Sequence, residues 1–299
     1  MDAASYNELV ASALAEDLGD NGDVTTQAIF NDERGRAVLI SKDRGVLAGI
    51  DLFAEVFRQI DPEVRVELEC EDGSFLKERD VVARLEGRVT SLLAGERVAL
   101  NFLSYLSGIA SATRRYVEAV GGDGSGGELP SLSRGVEGEV PIGFPTVLDT
   151  RKTLPGYRNL AKYAVSIGGG RNHRIGLHDM VLIKDNHIDF AGSIRTAVER
   201  VRAKWGERFV IEVECRDLDE VQEALECGCN IIMLDNMDRG TIDRALEAIA
   251  GRAKVEVSGN MDLEKIASLS ESGVDFISVG RLTHSVEAFD FSLKVELAR

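Results

Sequence analysis

The fold class of this chain is decided by the stretch VIEVECRDLDEVQEALECGCNIIMLDN, residues 210–236. Two short apolar runs, at about residues 210–213 and 231–234, flank the amphipathic helical segment LDEVQEALECG. A helix between two nearly continuous apolar strands is typical of a parallel sheet, because parallel strands need a long crossover and are covered on both faces. The stretch therefore predicts a strand-helix-strand unit of an α/β fold.

The same alternation recurs throughout the second half of the chain. Further apolar runs lie at about residues 147–149, 180–183, 255–257 and 276–279, separated by helical segments such as DLEKIASLSESG. Six such units without a dinucleotide-binding glycine fingerprint favour an incomplete (β/α) barrel over an open doubly wound sheet. The segment GGGRNHRIG, residues 168–176, is not that fingerprint, because it leads into a strand rather than a helix.

The first 120 residues carry a different, mixed pattern. Helical spacing over residues 5–17 and 52–60 alternates with strand patterns such as VRVELE, which predicts an open α/β sandwich domain. Residues 91–120 predict a long helix that is broken near Gly108. We therefore expect four segments: the sandwich and helical region over 1–120, a Gly-rich loop over 121–146, the α/β barrel over 147–284, and a C-terminal segment, 285–299, that can pack back on the first domain.

Composition excludes several classes of protein. The 299 residues carry a formal net charge of -16, with 44% hydrophobic and 29% charged residues, as in a folded protein rather than a disordered one. This acidity argues against nucleic acid as a partner, and no run approaches the roughly 18 apolar residues of a membrane span. The N-terminal sequence lacks the pattern of a secretory signal, so we expect a cytoplasmic protein. Four cysteines are too few for a disulfide scaffold, so we expect free thiols.

One segment is locally basic although the chain as a whole is acidic. Between Arg151 and Lys184 there are seven basic residues against one acidic residue, Asp179, which leaves a local charge of +6. In a barrel the loops after the strands converge over one face, so the polar residues that follow the apolar runs should meet there. The window therefore predicts a pocket for a small anionic substrate.

The residue types at these strand ends indicate several ligand groups. Donors suited to carboxylate and phosphate come from Arg151, Lys152, His173, Arg174 and Lys184. Glu214 and Asp235 can hold ribose hydroxyls or Mg²⁺, which favours carboxylate oxygens. Gly259 and Gly280 follow the last two strands, where backbone N–H groups of a barrel commonly hold phosphate.

Structural roles compete with these interpretations. We interpret Arg158, Lys162 and Arg171 as solvated surface charges. The residues His178 and His284 have no supporting context and are taken as structural. Two alternatives stay open: His173 as a satisfied core histidine, and Glu214 with Asp235 as partners in structural salt bridges.

The segment DTRKTLPGYRNLAKYAVSIGGGRNHRIGLHDMVLIKDNHI, residues 149–188, resembles the central motif of the quinolinate phosphoribosyltransferase family. Supporting matches are ALAEDLGDNGDVTT near the start, ERVALNFLSYLSGIA in the predicted helix, and IIMLDNM, VEVSGN and ISVGRLTHS towards the end. The resemblance runs over nearly the whole chain. It implies an N-terminal open α/β sandwich followed by an incomplete α/β barrel.

The resemblance also implies an activity. Members of this family convert quinolinate and 5-phosphoribosyl 1-pyrophosphate (PRPP) into nicotinate mononucleotide, pyrophosphate and CO₂, with Mg²⁺, in de novo NAD biosynthesis. It further implies a cytoplasmic homodimer with shared active sites, which allows a hexamer of dimers.

The resemblance implies roles for individual residues. Arg97 would reach the quinolinate site of the partner subunit. Quinolinate would be held by Arg151, His173, Arg174 and Lys184, the PRPP donor by Thr150 and Lys152, the ribose and Mg²⁺ by Glu214 and Asp235, and the 5-phosphate by Ser258, Gly259, Asn260, Gly280, Arg281 and Leu282. The catalytic set would be Lys152, Lys184, Glu214 and Asp235, and the contact of the last two with Mg²⁺ would be direct or through water.

Three alternatives compete with this reading. A phosphoribosyltransferase that takes nicotinate, without decarboxylation, would use much the same site. Lys184 at a strand end could instead form a Schiff base in a barrel aldolase. A catalytically silent anion-binding homologue is the third alternative.

Overall fold

The computed structural model describes residues 4–121 and 144–297. They form two compact units, one from the described parts of residues 1–112 and 286–299, the other from the described parts of 113–285. The boundary thus lies earlier than the position expected at residue 120. Most of the expected Gly-rich loop, 121–146, lies outside the described residues.

The first unit is built on an antiparallel sheet. Its elements are α1 (Ala4–Leu18), α2 (Val24–Ile29), β1 (Arg34–Ser41), β2 (Gly45–Val46), α3 (Ile50–Ile60), β3 (Arg65–Leu68), β4 (Phe75–Leu76), β5 (Val81–Arg88) and β12 (Phe291–Leu297), with the start of α4 (Val89–Ala119). The main sheet has the order β12-β1-β5-β3. Strand β12 pairs with β1 from Gly35 opposite Leu297 to Ser41 opposite Phe291, so the end of the chain supplies an edge strand of this unit.

The second unit contains the predicted parallel sheet. Its elements are β6 (Thr146–Leu148), α5 (Arg158–Ile167), β7 (Val181–Ile183), α6 (Asp185–Ala191), α7 (Ile194–Trp205), β8 (Ile211–Cys215), α8 (Leu218–Glu226), β9 (Ile231–Asp235), α9 (Arg239–Ile249), β10 (Lys254–Ser258), α10 (Leu263–Ser268), β11 (Phe276–Ser278) and α11 (Arg281–His284). The strand order is β6-β11-β10-β9-β8-β7, all parallel, with helices between the strands. The predicted α/β fold class is confirmed.

Aspartate side chains set where three helices of this unit begin. Asp217, Asp238 and Asp262 are the N-cap residues of α8, α9 and α10, and each accepts a hydrogen bond from a backbone N–H of the first turn. A cap of this kind satisfies an otherwise unpaired helix N–H. The loops that leave β8, β9 and β10 are therefore short and ordered at the carboxyl ends of these strands.

Two further expectations concern the thiols and the membrane. All four cysteines are free; Cys215, Cys227 and Cys229 are buried and Cys70 is half-buried. Within the described ranges, no helix is both long and apolar enough to cross a membrane.

The expected break in the long helix is wrong. Helix α4 runs without interruption over 31 residues. A Cβ atom on Gly108 would lie 2.2 Å from the carbonyl oxygen of Glu287, so this glycine allows another segment of the first unit to approach the helix backbone. Glycine here serves close packing, not chain bending.

We expect Gly108→Ala to lower the melting temperature of the protein. Helix propensity favours alanine by about 1 kcal/mol, but the Cβ atom would overlap a backbone carbonyl, and overpacking costs about 1–3 kcal/mol or more. Thermal unfolding followed by circular dichroism measures the difference. The matched control is Asn101→Ala, at an exposed position of the same helix, and equal loss of stability in both variants would contradict the packing argument.

Candidate active site

A cavity of about 730 Å³ lies at the carboxyl ends of the parallel strands. Its walls contain most of the residues expected to bind the phosphoribosyl donor and Mg²⁺: Thr150, Lys152, Glu214, Asp235, Ser258, Gly259, Asn260, Gly280 and Arg281. Lys184, which is expected to bind quinolinate, also lines the cavity. Leu282 does not line the cavity, because its side chain is buried. Only its backbone is available to a ligand.

The walls also contain residues that sequence reasoning missed. These are Asn236, Met261, Asp262, Lys265, Ser278, His284 and Ser285. His284, which the sequence analysis took as structural, lies in the cavity wall and becomes a further candidate for contact with a ligand. The signal was available: His284 follows Arg281 by three residues on α11, and residues at this spacing share one face of a helix.

Lys184 and Glu214 form an ion pair at the edge of this cavity. The side chain of Lys184 is 43% exposed and that of Glu214 is 15% exposed, so both can reach a ligand. The Nζ of Lys184 is thus engaged by a protein carboxylate and does not stand free as a nucleophile. This contact disfavours the Schiff-base alternative.

The turn after β9 depends on Gly259. Asn236 has a φ of 53°, in the left-handed region, and its Nδ2 donates to Asp235 Oδ2 at 2.7 Å. A Cβ atom on Gly259, whose φ is 106°, would lie 2.2 Å from Asn236 Oδ1. Glycine is therefore required both by the backbone conformation and by the side chain that holds Asp235.

Lys152 is fixed through its backbone. Its N–H donates to Thr150 Oγ1 at 3.1 Å, and its carbonyl accepts from Thr283 Oγ1 at 2.8 Å. A Cβ atom on Gly280 would lie 3.1 Å from Lys152 Cδ, so the lysine stem passes directly over this glycine. The contact ties the loop after β6 to the loop after β11.

Arg151 and Arg174 form a second group of cations. Arg174 is buried and its Nη1 donates to the Met180 carbonyl at 3.2 Å. Arg151 is half-buried, and its Nε has no hydrogen-bond partner within the described residues. Burial, followed by the charge of Arg151, lowers the pKa of Arg174. Two guanidinium groups that repel each other and keep an unused donor indicate an anion site.

Lys162 is buried, so its interpretation as a surface charge is wrong. Its Nζ donates to Asp149 Oδ1 at 2.5 Å and to the carbonyl of His173 at 3.0 Å. The same Oδ1 accepts from the backbone N–H of His173 at 2.8 Å. Burial raises the pKa of Asp149 to about 6, and the Lys162 ammonium limits this rise. We call Asp149, Lys162 and the backbone of His173 the anchor.

The two other expected surface charges also have structural contacts. Arg171 is 1% exposed, and its backbone N–H donates to the Val147 carbonyl at 2.9 Å beside β6. Arg158 is half-buried and donates to Thr153 Oγ1 and to the carbonyl of Ile175. Three of the seven cations in this window, Arg158, Lys162 and Arg171, are therefore engaged in contacts with the protein itself.

His173 has both ring nitrogens against protein groups. Nδ1 accepts from the backbone N–H of Arg174 at 2.7 Å, whereas Nε2 lies 3.0 Å from Glu212 Oε2 and 3.5 Å from Glu256 Oε2. The ring is 5% exposed and does not line the cavity. Arg151 and Arg174 do not line this cavity either, so the position of His173 is the same as that of the cations with which it was grouped.

The charge state of this ring follows from its neighbours. Burial alone lowers the pKa of His173, but the Glu212 and Glu256 carboxylates outweigh it and raise the pKa to about 10. This favours a proton on Nε2. A second proton on Nδ1 would point at the Arg174 N–H, which donates to that atom. We therefore assign the ring with its proton on Nε2.

The same three side chains have the ligand types of a metal site. His173, Glu212 and Glu256 place one donor atom each within 4.8 Å of one another, and all three are buried. However, a ring whose Nδ1 accepts a hydrogen bond must carry its proton on Nε2. It then has no lone pair directed at the carboxylates, and we interpret the group as a buried contact of the ring with two carboxylates and not as a metal site.

Comparisons with known proteins agree with this site. The family model described as quinolinate phosphoribosyl transferase, N-terminal domain, matches residues 23–107, and the C-terminal domain model matches 144–294. The probable nicotinate-nucleotide pyrophosphorylase (carboxylating) of Bacillus subtilis (strain 168) is 37% identical over 298 residues, covering 100% of this chain and 96% of the relative. The chloroplastic nicotinate-nucleotide pyrophosphorylase (carboxylating) of Oryza sativa subsp. japonica is 41% identical over 303 residues, 95% of this chain and 76% of the relative. The crystal structure of NadC from Streptococcus pyogenes superposes with a TM-score of 0.90 at 40% identity and covers 100% of this chain and 99% of that one.

A cavity with cations, two carboxylates and glycine loops at the ends of parallel strands defines an enzyme of the phosphoribosyltransferase type. The chain belongs to the quinolinate phosphoribosyl transferase family. The predicted function, phosphoribosyl transfer to quinolinate with decarboxylation in NAD biosynthesis, is thereby confirmed, and the aldolase alternative is wrong.

Replacing Lys162 should destabilise the protein in a pH-dependent way. Lys162→Met leaves Asp149 buried without its partner, and such a loss costs about 3–5 kcal/mol. The pKa of Asp149, already raised in the native state, rises further, so the native variant binds a proton that the unfolded chain releases. Its stability deficit should be smallest near about pH 5 and grow as the pH rises.

Thermal unfolding of wild type and variant across this pH range measures the deficit. The control is the double variant Asp149→Asn with Lys162→Met, in which neither side chain titrates. We expect the double variant to lack the pH dependence. A deficit of Lys162→Met that stays constant with pH would contradict the buried ion pair.

Proposed function

We propose that Arg151, Arg174 and Lys184 bind the two carboxylates of quinolinate, while the 730 Å³ cavity holds the phosphoribosyl donor. The observation that carries the proposal is the unused donor of Arg151, whose charge acts against that of Arg174, together with Lys184 in the wall of the cavity. Arg151 keeps an unused Nε donor, and the only carboxylate partner of Lys184 among the described residues is Glu214. Arginine engages carboxylates in a bidentate geometry that suits a dicarboxylate.

The donor half of the site suits a phosphosugar. Gly259, Asn260 and Gly280 place backbone groups at the cavity wall, and Arg281 with Lys265 adds positive charge for the 5-phosphate. Lys152 lies on the opposite side of Gly280, where it can contact the pyrophosphate. Leu282 takes part through its backbone N–H.

Magnesium fits the donor set of this cavity. Glu214 and Asp235 present carboxylate oxygens to the same space, and Mg²⁺ usually takes one or two protein carboxylates and completes its shell with water and phosphate. When bound, the ion would neutralise charge on the pyrophosphate. Lys184, released from Glu214, would then be available to the substrate carboxylate.

The chain's residues act by binding and orientation. The nitrogen of the pyridine ring attacks the anomeric carbon of ribose as the bond to pyrophosphate breaks, and no protein nucleophile is needed. Lys152, whose backbone N–H and carbonyl are both hydrogen-bonded, stabilises the negative charge on the departing pyrophosphate. Alignment of the two substrates lowers the entropic barrier.

Decarboxylation follows from the substrate's own electronics. Once the ring nitrogen carries the ribose, the ring is an electron sink for the bond to the adjacent carboxylate. That carbon–carbon bond breaks, CO₂ leaves, and the electron pair on the ring carbon takes a proton from water. The protein's part is to hold the carboxylates until this step.

The dimer completes the proposed site. Arg97 is exposed on α4 and makes no ion pair within the described part of the chain. We infer that it reaches the quinolinate site of a second copy in a homodimer, which allows further assembly as a hexamer of dimers. Free cysteines suit the reducing cytoplasm, where we place the enzyme.

The reaction is tested by following CO₂ and nicotinate mononucleotide from quinolinate, PRPP and Mg²⁺. A parallel assay uses nicotinate instead of quinolinate, and a third omits Mg²⁺. We expect product from quinolinate alone, and only with the metal. Product from nicotinate would instead select the non-decarboxylating alternative, and none from either would favour the silent homologue.

Truncation of the proposed quinolinate contacts should weaken substrate binding. Arg174→Ala and Lys184→Ala each remove a charged hydrogen bond worth about 1.5–3 kcal/mol. We expect kcat/KM for quinolinate to fall by about 10- to 100-fold or more. The matched control is Lys204→Ala, an exposed lysine outside the cavity, and wild-type turnover by the folded Arg174 and Lys184 variants would overturn the assignment.

A shared site can be tested by complementation. We expect Arg97→Ala and Lys184→Ala to be nearly inactive alone. When the two proteins exchange subunits, some sites receive intact Arg97 from one protomer and intact Lys184 from the other, so partial activity should return. Subunit exchange verified by mass spectrometry without recovery of activity would contradict action in trans.

A further inference from the structure

We propose that Tyr116 is a positioning residue for the phosphoribosyl donor, because its phenol oxygen holds the Arg281 guanidinium ready for the 5-phosphate. The proposal deepens the function proposed above and rests on it, since Arg281 is taken there as a contact of this phosphate. Tyr116 itself does not line the cavity. It therefore acts on the substrate only through Arg281.

Tyr116 lies near the end of α4 and is packed within the second unit. The residue is 7% exposed, and the second unit begins at Thr113. The neighbouring Arg114 donates from Nε to the Gly168 carbonyl at 3.3 Å. A Cβ atom on Gly170 would lie 2.8 Å from Thr113 Cγ2, so the helix closely approaches the backbone of the glycine segment. These contacts fix the end of α4 and, with it, the position of the tyrosine ring.

The phenol oxygen connects two loops of the donor half. Its O–H donates to the Met261 carbonyl at 3.3 Å, in the loop after β10. The Arg281 guanidinium, on α11 after β11, interacts with the same oxygen. The hydrogen bond to Met261 uses the only proton of the hydroxyl, so its lone pairs are left for the guanidinium, which can only donate. Both Met261 and Arg281 line the cavity.

The charge of Arg281 stays available to a ligand. Arg281 makes no ion pair with any other residue that the structure describes. Burial raises the pKa of Tyr116, and the charge of Arg281 opposes this rise. The phenol therefore stays neutral and keeps the proton that it donates to Met261. A neutral oxygen binds the guanidinium without cancelling its charge, so Arg281 keeps its full positive charge for a phosphate.

Unpaired backbone donors accompany this charge in the same cavity. Within the described residues, no hydrogen-bond partner is present for four N–H groups of the donor loops, those of Gly259, Asn260, Met261 and Gly280. Successive backbone N–H groups in turns commonly bind phosphate oxygens. The Nζ of Lys265 donates to the Asn260 carbonyl at 3.1 Å and fixes this loop. A phosphate bound to these donors lies in the cavity that Arg281 also lines.

The benefit of the contact with Tyr116 is preorganisation. Arg281 is exposed, and an exposed arginine side chain loses conformational entropy when a ligand orders it. The phenol oxygen restricts the side chain before the donor arrives, so less entropy is lost on binding. The 5-phosphate takes no part in the bonds that form and break. The contact should therefore affect donor binding and not the chemical step.

The first test is Tyr116→Phe, which removes only the phenol oxygen. We expect KM for PRPP to rise by about fivefold, the effect of one lost hydrogen bond, with kcat and KM for quinolinate changed less than about twofold. The matched control is Tyr105→Phe, at a half-buried position earlier on the same helix, which should keep the wild-type constants. A wild-type KM for PRPP in folded Tyr116→Phe would overturn the proposal.

A double-mutant cycle tests whether Tyr116 acts through Arg281. Arg281→Met removes the guanidinium but keeps an unbranched stem, and it should raise KM for PRPP more than Tyr116→Phe does. Once the guanidinium is gone, the added loss of the phenol oxygen should change this KM less than about twofold. Increases that multiply would mean that the two residues act independently, and the positioning role would be wrong.

Binding of ribose 5-phosphate gives a readout that does not depend on turnover. We expect calorimetry to show about fivefold weaker binding to Tyr116→Phe than to wild type, while pyrophosphate with Mg²⁺ binds equally to both. Equal binding of ribose 5-phosphate to the two proteins, or none to wild type, would overturn the positioning role. Absence of turnover by wild type would instead overturn the proposed function.

Discussion

The buried contact of Lys162 with Asp149 and His173 is the constraint on which the quinolinate half of the site depends. Asp149 closes β6, Lys162 lies on α5, and His173 belongs to the segment beside β6, so one ion pair joins three parts of the chain. An ion pair in such a dry place is stabilising only when its remaining hydrogen-bonding groups are satisfied. The backbone of His173 satisfies them, and Arg151 and Arg174 take their positions on either side.

The site follows from this constraint as two layers of charge. One layer carries the cations that we propose to bind the ligand, and the other carries the carboxylates of Glu212 and Glu256, which are buried against the His173 ring. Such a preorganised arrangement keeps like charges together before substrate binds, and it is the form in which electrostatic stabilisation is most effective. The proposed donor half differs, because Gly259 and Gly280 leave the backbone accessible at the cavity wall.

The architecture could be predicted from the sequence, but the burial of several charged side chains could not. Six apolar runs specified the parallel sheet, and the polar residues after them specified the cavity, because the carboxyl ends of the strands meet by geometry. Lys162 and Arg171 were wrongly assigned to the surface because single Lys and Arg side chains are usually exposed. The sequence does not show that Asp149 pairs with Lys162, because this contact forms only in the folded structure. The alternation in EVE, residues 212–214, did contain the signal that Glu212 shares the face of Glu214. The uninterrupted α4 was missed because the packing partner of Gly108 lies far away in sequence.

The central claim is that quinolinate binds to cations whose loops are held by the anchor. The most direct measurement is a crystal structure of the protein with quinolinate bound. The account predicts both carboxylates of the ligand in contact with Arg151, Arg174 and Lys184. A ligand bound away from these cations would contradict it.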